Sequence, residues 1–575
     1  MEFIQKKTAD QAVEHFLLKA ADEGISLAWD RFETQLPECG FCEAGLSCRD
    51  CLQGPCISHP FRDSDKAGVC GKDKDLLAAQ SLLRLAVKGS MAILDQVHDF
   101  VEGVEGGEMT PKNKNQTDQM IKDIQKFLKD GEAKVMKAFP PAVTQSWKAL
   151  GIYPEGLAKD LFKAAQKVEG GMAGVEDTLL WAFKASLLGG VAQKLQGALK
   201  KSAFGDVSPT ALEVNLGVLQ KEACQIALYG HFSPVLKHKI AAAAAARKKV
   251  RVLGVCTDPL LPPYIFSPVT NYGSQEIPLM TGAVNLIVTG DQFVNPSLRE
   301  VAKERGVAVV ATEGRKKEKN LKKWAAQIVE EAEKAFELRK GIPADIPPNK
   351  EAAVMGFALN PAEAKKIVGA LKGGKIKGIA IFSGSGNVKF SQDNEIVTIA
   401  GELLKKDVFC VSQGDASVGL AKYGFLNPAQ KEKLCGKGVG ELLTSLGENR
   451  PAVLDLGSSA NGGVADFLLG IAAAEKKAPK NYPIVACFAE ANRSTEVVEA
   501  LCYVAMGVST YFWPCLPVTG SAKSMEVLSK FCQEKFGAKL HVITDKKMEP
   551  RAKAALMIQD LEGGHPPRLS GQAWK

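Results

Sequence analysis

The sequence predicts an α/β protein in which an N-terminal helical domain is followed by two Rossmann-like domains with mainly parallel sheets. The chain has 575 residues, which is too long for one compact core. Up to about residue 245, apolar residues recur at intervals of three and four, as in Asp75–Leu94 and Glu176–Leu195. Beyond that point, short β-branched runs alternate with helical segments, which is typical of parallel sheets.

The predicted domain limits are residues 1–245 for the helical domain, 246–370 for the first Rossmann-like domain and 371–575 for the second. The charged helical stretch Arg315–Lys340 and the proline-rich segment Gly341–Lys350 separate the two groups of strands. The predicted strands are Val250–Val255, Leu286–Val288, Val307–Val310, Gly378–Phe382, Val408–Val411, Val453–Leu456, Ile484–Phe488 and Leu540–Ile543.

Charge and hydropathy exclude several classes of protein. The net charge of +8 is spread along the chain, and its densest stretch, Gly314–Lys323, has no interleaved aromatic residues. This pattern argues against nucleic-acid binding. The N-terminus has no apolar signal region, and the apolar run Ile240–Ala246 is too short to span a bilayer. We therefore expect a cytoplasmic protein without a membrane span, whose fourteen cysteines are metal ligands or core residues rather than disulfides.

The stretch Cys39–Cys70 contains six cysteines in 32 residues. Four of them, Cys48, Cys51, Cys56 and Cys70, lie on glycine-punctuated backbone that suits a compact loop around a [4Fe–4S] cluster. Zinc is the alternative that this spacing leaves open.

Cys39 and Cys42 form a separate pair. Two thiolates are too few for a closed cluster, but a two-fold homodimer would bring two such pairs together at its interface. The alternative is that Cys39 or Cys42 replaces a ligand of the other cluster.

Several segments resemble the anaerobic nickel–iron carbon monoxide dehydrogenase family. RFETQLPEC, GLSCRDCLQGPC and GVCGKDKD are similar to the N-terminal signature of that family. The resemblance covers nearly the whole chain and implies the helical domain and two Rossmann-like domains expected above. Further similar segments, in the same order as in the family, are Tyr229–Leu236, Ser274–Asn285, Phe382–Lys389, Tyr423–Gln430 and Leu516–Ser521.

The resemblance implies two iron–sulfur centres. Cys48, Cys51, Cys56 and Cys70 would bind the [4Fe–4S] B-cluster of each subunit, and Cys39 and Cys42 would supply half of the D-cluster shared across a homodimer. Many family members have their second D-cluster cysteine at the position of Ser47. The tight pair found here resembles members with a shared [2Fe–2S] cluster, which we favour over [4Fe–4S]. A ferredoxin-type protein is the expected redox partner.

The catalytic C-cluster of the family, a nickel–iron–sulfur centre, is held by one histidine and five cysteines. His231 matches the histidine, and Cys256 lies where the family has a cysteine pair. Other residues stand at four ligand positions, namely Phe293, Ser385, Asp415 and Ser459. Because iron and nickel in a sulfide cluster require soft thiolates, this set argues against nickel.

The family also has proton-transferring histidines on an N-terminal helix. Ile93 and Gln96 occupy two of those positions here, and only His98 lies nearby. The changed ligands and the changed helix together argue against ordinary interconversion of CO and CO2.

Three functional hypotheses follow. The first is an iron–sulfur redox protein whose electron relay is retained and whose pocket is remodelled. In that pocket His231, Cys256 and Asp415 would bind one metal ion or act in general acid–base chemistry. The second is a non-catalytic electron-transfer or partner-binding subunit. The third is an active CO dehydrogenase with an unusual cluster that uses Cys256, Cys410 or Cys515.

Overall fold

In a computed structural model of the protein, the described residues are 6–58, 66–107, 109–170, 172–312, 320–384 and 386–563. The N-terminal region is helical, as predicted. Its α-helices are Gln11–Asp22, Ala28–Glu33, Gly40–Glu43, Lys74–Glu105, Lys114–Leu128, Pro141–Ala149, Leu157–Glu169 and Val175–Phe204. A short antiparallel strand pair, Ser47–Cys48 with Cys56–Ile57, lies between the third and fourth of these helices.

The helix Lys74–Glu105 is long and apolar because it forms the core of this region. Asp73 caps its N-terminus by accepting a hydrogen bond from the Leu76 N–H. Within the described residues it alone has the length and composition of a membrane-spanning helix, yet 67% of its most apolar window is buried inside the protein. It packs against Val175–Phe204 and Ser494–Ala505, so its apolar surface is covered by protein.

The first large sheet has five parallel strands. In spatial order they are Ala308–Ala311, Leu286–Thr289, Cys224–Tyr229, Val250–Val255 and Pro268–Thr270. The α-helices of this part of the chain are Pro234–Ala245, Ile277–Met280, Leu298–Glu304 and Leu321–Leu338.

The central strand Cys224–Tyr229 was missed by the sequence analysis, and it precedes the expected start of the first Rossmann-like domain at residue 246. Every residue of this strand is buried, so it lacks the polar alternation that marks a half-buried strand. The first sheet therefore begins inside the region assigned to the helical domain, and the domain limits stay a prediction.

The second large sheet has six parallel strands. In spatial order they are Val453–Asp455, Val408–Ser412, Gly378–Ser383, Ile484–Phe488, Ser509–Phe512 and Leu540–Val542. The α-helices here are Pro361–Lys372, Asn394–Lys405, Gly414–Ala421, Lys431–Leu434, Lys437–Leu446, Gly463–Glu475, Ser494–Ala505, Ala522–Lys530 and Pro550–Leu561. Two further antiparallel pairs are Thr210–Val214 with Glu351–Met355 and Leu260–Leu261 with Tyr264–Ile265. The predicted fold class is confirmed.

Both large sheets have a Rossmann-type strand order. The chain enters each sheet at a central strand, fills one side, and then crosses back to fill the other. The crossing point lies between Cys224–Tyr229 and Leu286–Thr289 in the first sheet and between Gly378–Ser383 and Ile484–Phe488 in the second. Ligands of such sheets bind at the carboxyl ends of the strands beside this point, which directs attention to the loops after these four strands.

Glycines allow the helix Ser494–Ala505 to lie close to the two long N-terminal helices. A Cβ atom on Gly89 would lie 2.3 Å from the carbonyl oxygen of Ser494, and one on Gly189 would lie 2.6 Å from Val498 Cγ1. These contacts are too short for any side chain. The N-terminal helices therefore position the start of Ser494–Ala505, directly after the loop that ends the strand Ile484–Phe488.

We expect Gly89→Ala to destabilise the protein by about 1–3 kcal/mol, because the added methyl group pushes against backbone rather than a movable side chain. Gly369→Ala is the matched control, since Gly369 lies at an exposed helical position where an added methyl group would have no other atom within 4 Å. That change should be neutral or stabilising by up to about 1 kcal/mol. Urea unfolding of both variants measures the difference, and equal effects would contradict the packing argument.

Candidate functional site

The four cysteines from Cys48 to Cys70 lie around a tight strand pair and an adjoining turn. Cys48 and Cys56 are directly opposite each other in the antiparallel ladder, so their side chains leave the same face. Cys51 lies in the turn between the strands, where its carbonyl accepts the N–H of Gly54 at 3.2 Å. The strand pair thus directs thiols toward one small region.

Cys70 approaches the same region through a glycine-rich turn. The Gly68 N–H donates to the Lys72 carbonyl at 2.8 Å, and the Gly71 N–H donates to the Gly68 carbonyl at 2.8 Å. A Cβ atom on Gly68 would lie 3.7 Å from Cys56 Sγ, so the turn with Cys70 lies against Cys56. Burial, followed by the Asp50 carboxylate that accepts its S–H, raises the pKa of Cys48.

No three of these thiols lie close enough together, as positioned, to bind one zinc ion. Two groups of three His, Cys, Asp or Glu side chains in the described residues have all their ligand atoms within 4.8 Å, and neither group contains a cysteine. Tetrahedral zinc with Zn–S bonds of about 2.3 Å holds its sulfurs about 3.8 Å apart. A cubane holds its thiolates further apart, because each binds a different iron. The [4Fe–4S] assignment of these four cysteines stays a prediction.

Cys39 and Cys42 are adjacent and exposed. They flank the start of the one-turn helix Gly40–Glu43. Hydrogen bonds from the Cys42 thiol and from the Cys42 backbone N–H lower the pKa of Cys39, which favours its thiolate form. The Ser47 hydroxyl group donates to Cys42 Sγ at 3.4 Å.

Two lysines from the part of the chain that forms the second large sheet contact the residues around this helix. Glu38 and Glu43, on either side of the cysteine pair, both contact the ammonium groups of Lys389 and Lys546 at distances between 2.5 and 3.1 Å. A further thiol near the pair is that of Cys515, whose Sγ lies 3.6 Å from the Glu43 carbonyl oxygen. Cys515 therefore lies beside the cysteine pair.

A buried pocket lies where the loops at the carboxyl ends of both large sheets meet. Its volume is about 360 Å³, including the solvent at its mouth. His231, Cys256, Asp415 and Ser459 all line it. The first two follow strands of the first sheet, and the last two follow strands of the second. The loops that carry His231, Cys256 and Asp415 therefore meet at one pocket, as expected from the sequence.

Two interactions join residues around the pocket. The charge of the Asp415 carboxylate acts on the Cys256 thiol. The rings of His231 and Phe293 pack in a T-shaped arrangement, with their centroids 4.6 Å apart. Cys256 and Phe293 both adopt left-handed backbone, with φ of 52° and 63°, which costs a non-glycine residue about 1–3 kcal/mol.

Burial sets the ionisation of these groups. It is the main reason that the pKa of His231 lies well below its ordinary value, with the nearby Lys237 ammonium as the next cause. Burial, followed by the charge of Asp415, raises the pKa of the Cys256 thiol well above its ordinary value. At neutral pH the pocket therefore holds a neutral imidazole and a neutral thiol.

Arg493 is a pocket residue that the sequence analysis missed. It follows the strand Ile484–Phe488, and its guanidinium donates to Asp415 at 3.1 Å and lies 3.5 Å from Glu496. The Arg493 guanidinium carbon lies 4.1 Å from the Phe293 ring centroid and 5.0 Å from that of Tyr272. Burial opposes its charge, but the carboxylates of Glu496 and Asp415 outweigh burial and raise the pKa of Arg493.

The sequence provided only a weak indication that Arg493 is a site residue, because the segment Ala-Asn-Arg-Ser around it matches no motif of metal ligands. The position itself, after a strand at the crossing point of the second sheet, was the available signal. The strand Ile484–Phe488 was predicted correctly, but the loop after it contains no cysteine or histidine that would mark a site.

Some predicted site features lie apart from the pocket or outside the described residues. Ser385 is outside the described residues. His98 is exposed and lies 3.8 Å from Glu102. The side chain of Gln96 donates to the side chain of Gln292 at 2.5 Å.

The ligand atoms of His231, Cys256 and Asp415 are not all within 4.8 Å of one another, so these three side chains do not form a compact metal site as positioned.

Comparison with known proteins agrees with this architecture. The chain matches the Prismane/CO dehydrogenase family over residues 46–129 and 108–547. It is 30% identical to carbon monoxide dehydrogenase 2 of Carboxydothermus hydrogenoformans, over 91% of this chain and 93% of that protein.

Solved structures give the same result. Carbon monoxide dehydrogenase IV of Carboxydothermus hydrogenoformans superposes with a TM-score of 0.90 at 27% identity, covering 97% of this chain and 99% of that chain. An acetyl-CoA synthase/carbon monoxide dehydrogenase, described with NiZn[Fe4S4] and NiNi[Fe4S4] clusters in its alpha subunits, superposes with a TM-score of 0.89 at 25% identity over 97% of this chain and 93% of that chain. The chain belongs to the Prismane/CO dehydrogenase family.

Proposed function

We propose that this protein is an iron–sulfur redox protein that retains the electron relay of the family and has a remodelled catalytic pocket. In this proposal it does not carry out ordinary nickel-dependent interconversion of CO and CO2. The observation that carries the proposal is the Arg493 guanidinium, which lies inside the pocket between Asp415 and Glu496.

The Arg493 guanidinium and the Phe293 ring do not suit a site for a nickel–iron–sulfur cluster. Among the described residues that line the pocket there is one thiol, that of Cys256. Phe293 offers no donor atom, and a buried guanidinium repels metal cations. Two other cysteines considered as substitutes lie elsewhere: Cys410 is fully buried in a strand, and Cys515 lies beside Glu43.

The relay is supported by the arrangement of the cysteine stretch. Cys48, Cys51, Cys56 and Cys70 would hold a [4Fe–4S] cluster, which would supply one-electron transfer at a potential set by its surroundings. Arg84 and Lys72 contact Asp50 beside Cys48 at 2.6 and 3.5 Å. Their positive charge favours a cluster whose four thiolates bring negative charge.

The exposed pair Cys39 and Cys42 supports a cluster shared between two copies of the chain, because two thiols complete a four-ligand set only with two more. Their closeness favours [2Fe–2S] over [4Fe–4S]. We propose a cytoplasmic homodimer that exchanges electrons with a ferredoxin-type protein.

The pocket itself supports acid–base chemistry better than binding of one metal ion. The charge of the Asp415 carboxylate helps to raise the pKa of the Cys256 thiol, so this thiol keeps its proton, and neutral His231 can accept a proton. The second candidate is a non-catalytic electron-transfer subunit, which is favoured by the contact of the Phe293 ring with both His231 and Arg493. This contact fills part of the space that a cofactor would need.

Metal analysis of anaerobically purified protein tests the proposal. A cubane and half of a shared [2Fe–2S] cluster correspond to about five iron atoms per chain. We expect that iron content, no stoichiometric nickel, and no oxidation of CO with a viologen acceptor. One nickel per chain together with several additional iron atoms would overturn the proposal and favour an active CO dehydrogenase with an unusual cluster.

Replacing both Cys39 and Cys42 by serine tests the shared cluster. We expect the loss of about one iron atom per chain, because a dimeric [2Fe–2S] cluster contributes half its iron to each subunit. Cys435→Ser is the control, since Cys435 is half-buried and remote in sequence from the cysteine stretch. An unchanged iron content in the double variant would show that the assignment is wrong.

The burial of His231 predicts a dependence of stability on pH. Because its pKa is depressed in the folded state, unfolding takes up a proton below the unfolded-state value of 6.5. His231 therefore makes the free energy of unfolding fall with decreasing pH by up to about 1.4 kcal/mol per pH unit below that value.

Urea unfolding of wild-type protein and His231→Gln between about pH 7 and pH 5 measures this slope, with the larger slope expected for the wild type. His98→Gln, at an exposed histidine, should keep the wild-type slope. Equal slopes for wild type and His231→Gln would contradict a buried neutral imidazole.

A further inference from the structure

We propose that Glu499, a buried residue next to the pocket, serves as an internal proton acceptor that compensates changes of charge there. It binds one proton when the pocket becomes more negative and releases it when the pocket becomes more positive. Glu499 acts on the pocket through Arg493 and Glu496, so it is a positioning residue rather than a catalytic one. This role rests on the proposed acid–base function of the pocket.

The Glu499 carboxylate accepts hydrogen bonds from three side chains, all of them uncharged. Gln193 donates to its Oε1 at 3.0 Å, and Ser383 and Gln413 each donate to its Oε2 at 2.9 Å. Within the described part of the chain, no salt bridge joins it to a lysine, arginine or histidine. A buried carboxyl group without a cation in contact keeps its proton more readily than an exposed one.

The three donors belong to elements that adjoin the pocket. Gln413 lies two residues before Asp415, which lines the pocket. Ser383 ends a strand beside the crossing point of the second sheet, and Gln193 belongs to one of the two long N-terminal helices. Glu499 is therefore held where the N-terminal helices meet the carboxyl ends of the strands, which is the part of the fold that carries the pocket.

Two charged groups connect Glu499 with the pocket. Burial is the main cause that raises the pKa of Glu499 to about 7, and the hydrogen bond from Ser383 opposes it. The charge of Glu496, one helical turn earlier, raises this pKa further, whereas the charge of Arg493 lowers it. Because Arg493 contacts both Glu496 and Asp415, a change of charge in the pocket alters the proton affinity of Glu499.

The other groups at Glu499 are neutral. On its own helix, burial is the main cause that raises the pKa of Cys502 and of Tyr503, and the charge of Glu499 is the next, so both residues keep their protons. The packed elements contribute the uncharged side chains of Gln193, Ser383 and Gln413. The charge balance at Glu499 is therefore set mainly by Glu496 and Arg493.

The side-chain amide of Gln413 can serve both protonation states of Glu499. Its Nε2 lies 2.9 Å from Glu499 Oε2, 3.0 Å from Ser383 Oγ and 2.9 Å from the Tyr503 hydroxyl oxygen. An amide nitrogen has only two hydrogen atoms for these three oxygens. When Glu499 is charged, this nitrogen donates to the carboxylate. When Glu499 is protonated, rotation of the amide presents the carbonyl oxygen, which accepts from the carboxyl group and from the Tyr503 hydroxyl.

Infrared spectroscopy tests the protonation of Glu499 on full-length protein purified anaerobically with its iron–sulfur clusters. A protonated carboxyl group has a C=O stretching band that a carboxylate lacks and that shifts in heavy water. Between about pH 5.5 and pH 8.5, we expect the wild type to lose one such band per chain as the pH rises, with a midpoint of about 7. Glu499→Gln should abolish this change. Glu363→Gln, at a buried carboxylate paired with Arg450, should retain it.

Two further variants test the coupling to the pocket, and they keep the proposal testable if Glu499→Gln does not fold. Glu496→Gln removes a negative charge and should lower the midpoint by about half a pH unit or more. Arg493→Gln removes a positive charge and should raise the midpoint by a similar amount. A purely structural role of Glu499 would not produce shifts of opposite sign. Circular dichroism and iron content verify that each variant is folded.

Three outcomes would overturn the proposal. They are the absence of a titrating band in the wild type, the same titrating band in Glu499→Gln, and the wild-type midpoint in both Glu496→Gln and Arg493→Gln. A band that persists at every pH counts as the first outcome, because burial raises the pKa of Glu490 well above its ordinary value and this residue is expected to stay protonated.

The proposed function fails in a different way. Stoichiometric nickel together with a titrating Glu499 would overturn the proposed function and leave the proton uptake by Glu499 in place. About five iron atoms per chain, no nickel and no titrating band would overturn this inference alone.

Discussion

A guanidinium group that is cut off from water must be surrounded by carboxylates, since arginine does not deprotonate in proteins. Arg493 meets this constraint with Asp415 from one loop and Glu496 from the first turn of its own helix. Its flat faces are covered by the rings of Phe293 and Tyr272, which belong to the first Rossmann-like region. One buried cation thereby ties together loops from both large sheets, and the ionisation of Cys256 and the position of Phe293 depend on it.

The N-terminal helices make this arrangement possible. Gly89 and Gly189 allow the helix Ser494–Ala505, which begins directly after Arg493, to approach the two long helices. At its other end the helix Lys74–Glu105 reaches the cysteine stretch, where Ser81 donates to the Gly45 carbonyl at 3.2 Å and Arg84 contacts Asp50. A single element therefore contacts both the candidate electron relay and the helix that begins directly after Arg493.

The relay and the pocket contrast in chemistry. Among the cysteines of the stretch only Cys48 is buried, and the backbone around them is shaped by turns and by a two-stranded ladder. Among the described residues, the pocket holds one thiol, an acid paired with Arg493, and an imidazole that packs against Phe293. Soft donors collect in the cysteine stretch, whereas hard and neutral groups line the described part of the pocket.

Periodicity determined the helical N-terminus, and short β-branched runs determined most strands of two parallel sheets, because these patterns follow from which face of each element is buried. Cysteine spacing and similar segments determined the family. The strand Cys224–Tyr229 escaped detection since burial on both faces removes polar alternation. Only the tertiary structure decided that Arg493 enters the pocket and that Gln292 meets Gln96 of the long helix. These residues are far apart in the chain, and their contacts arise from how two sheets and one long helix pack.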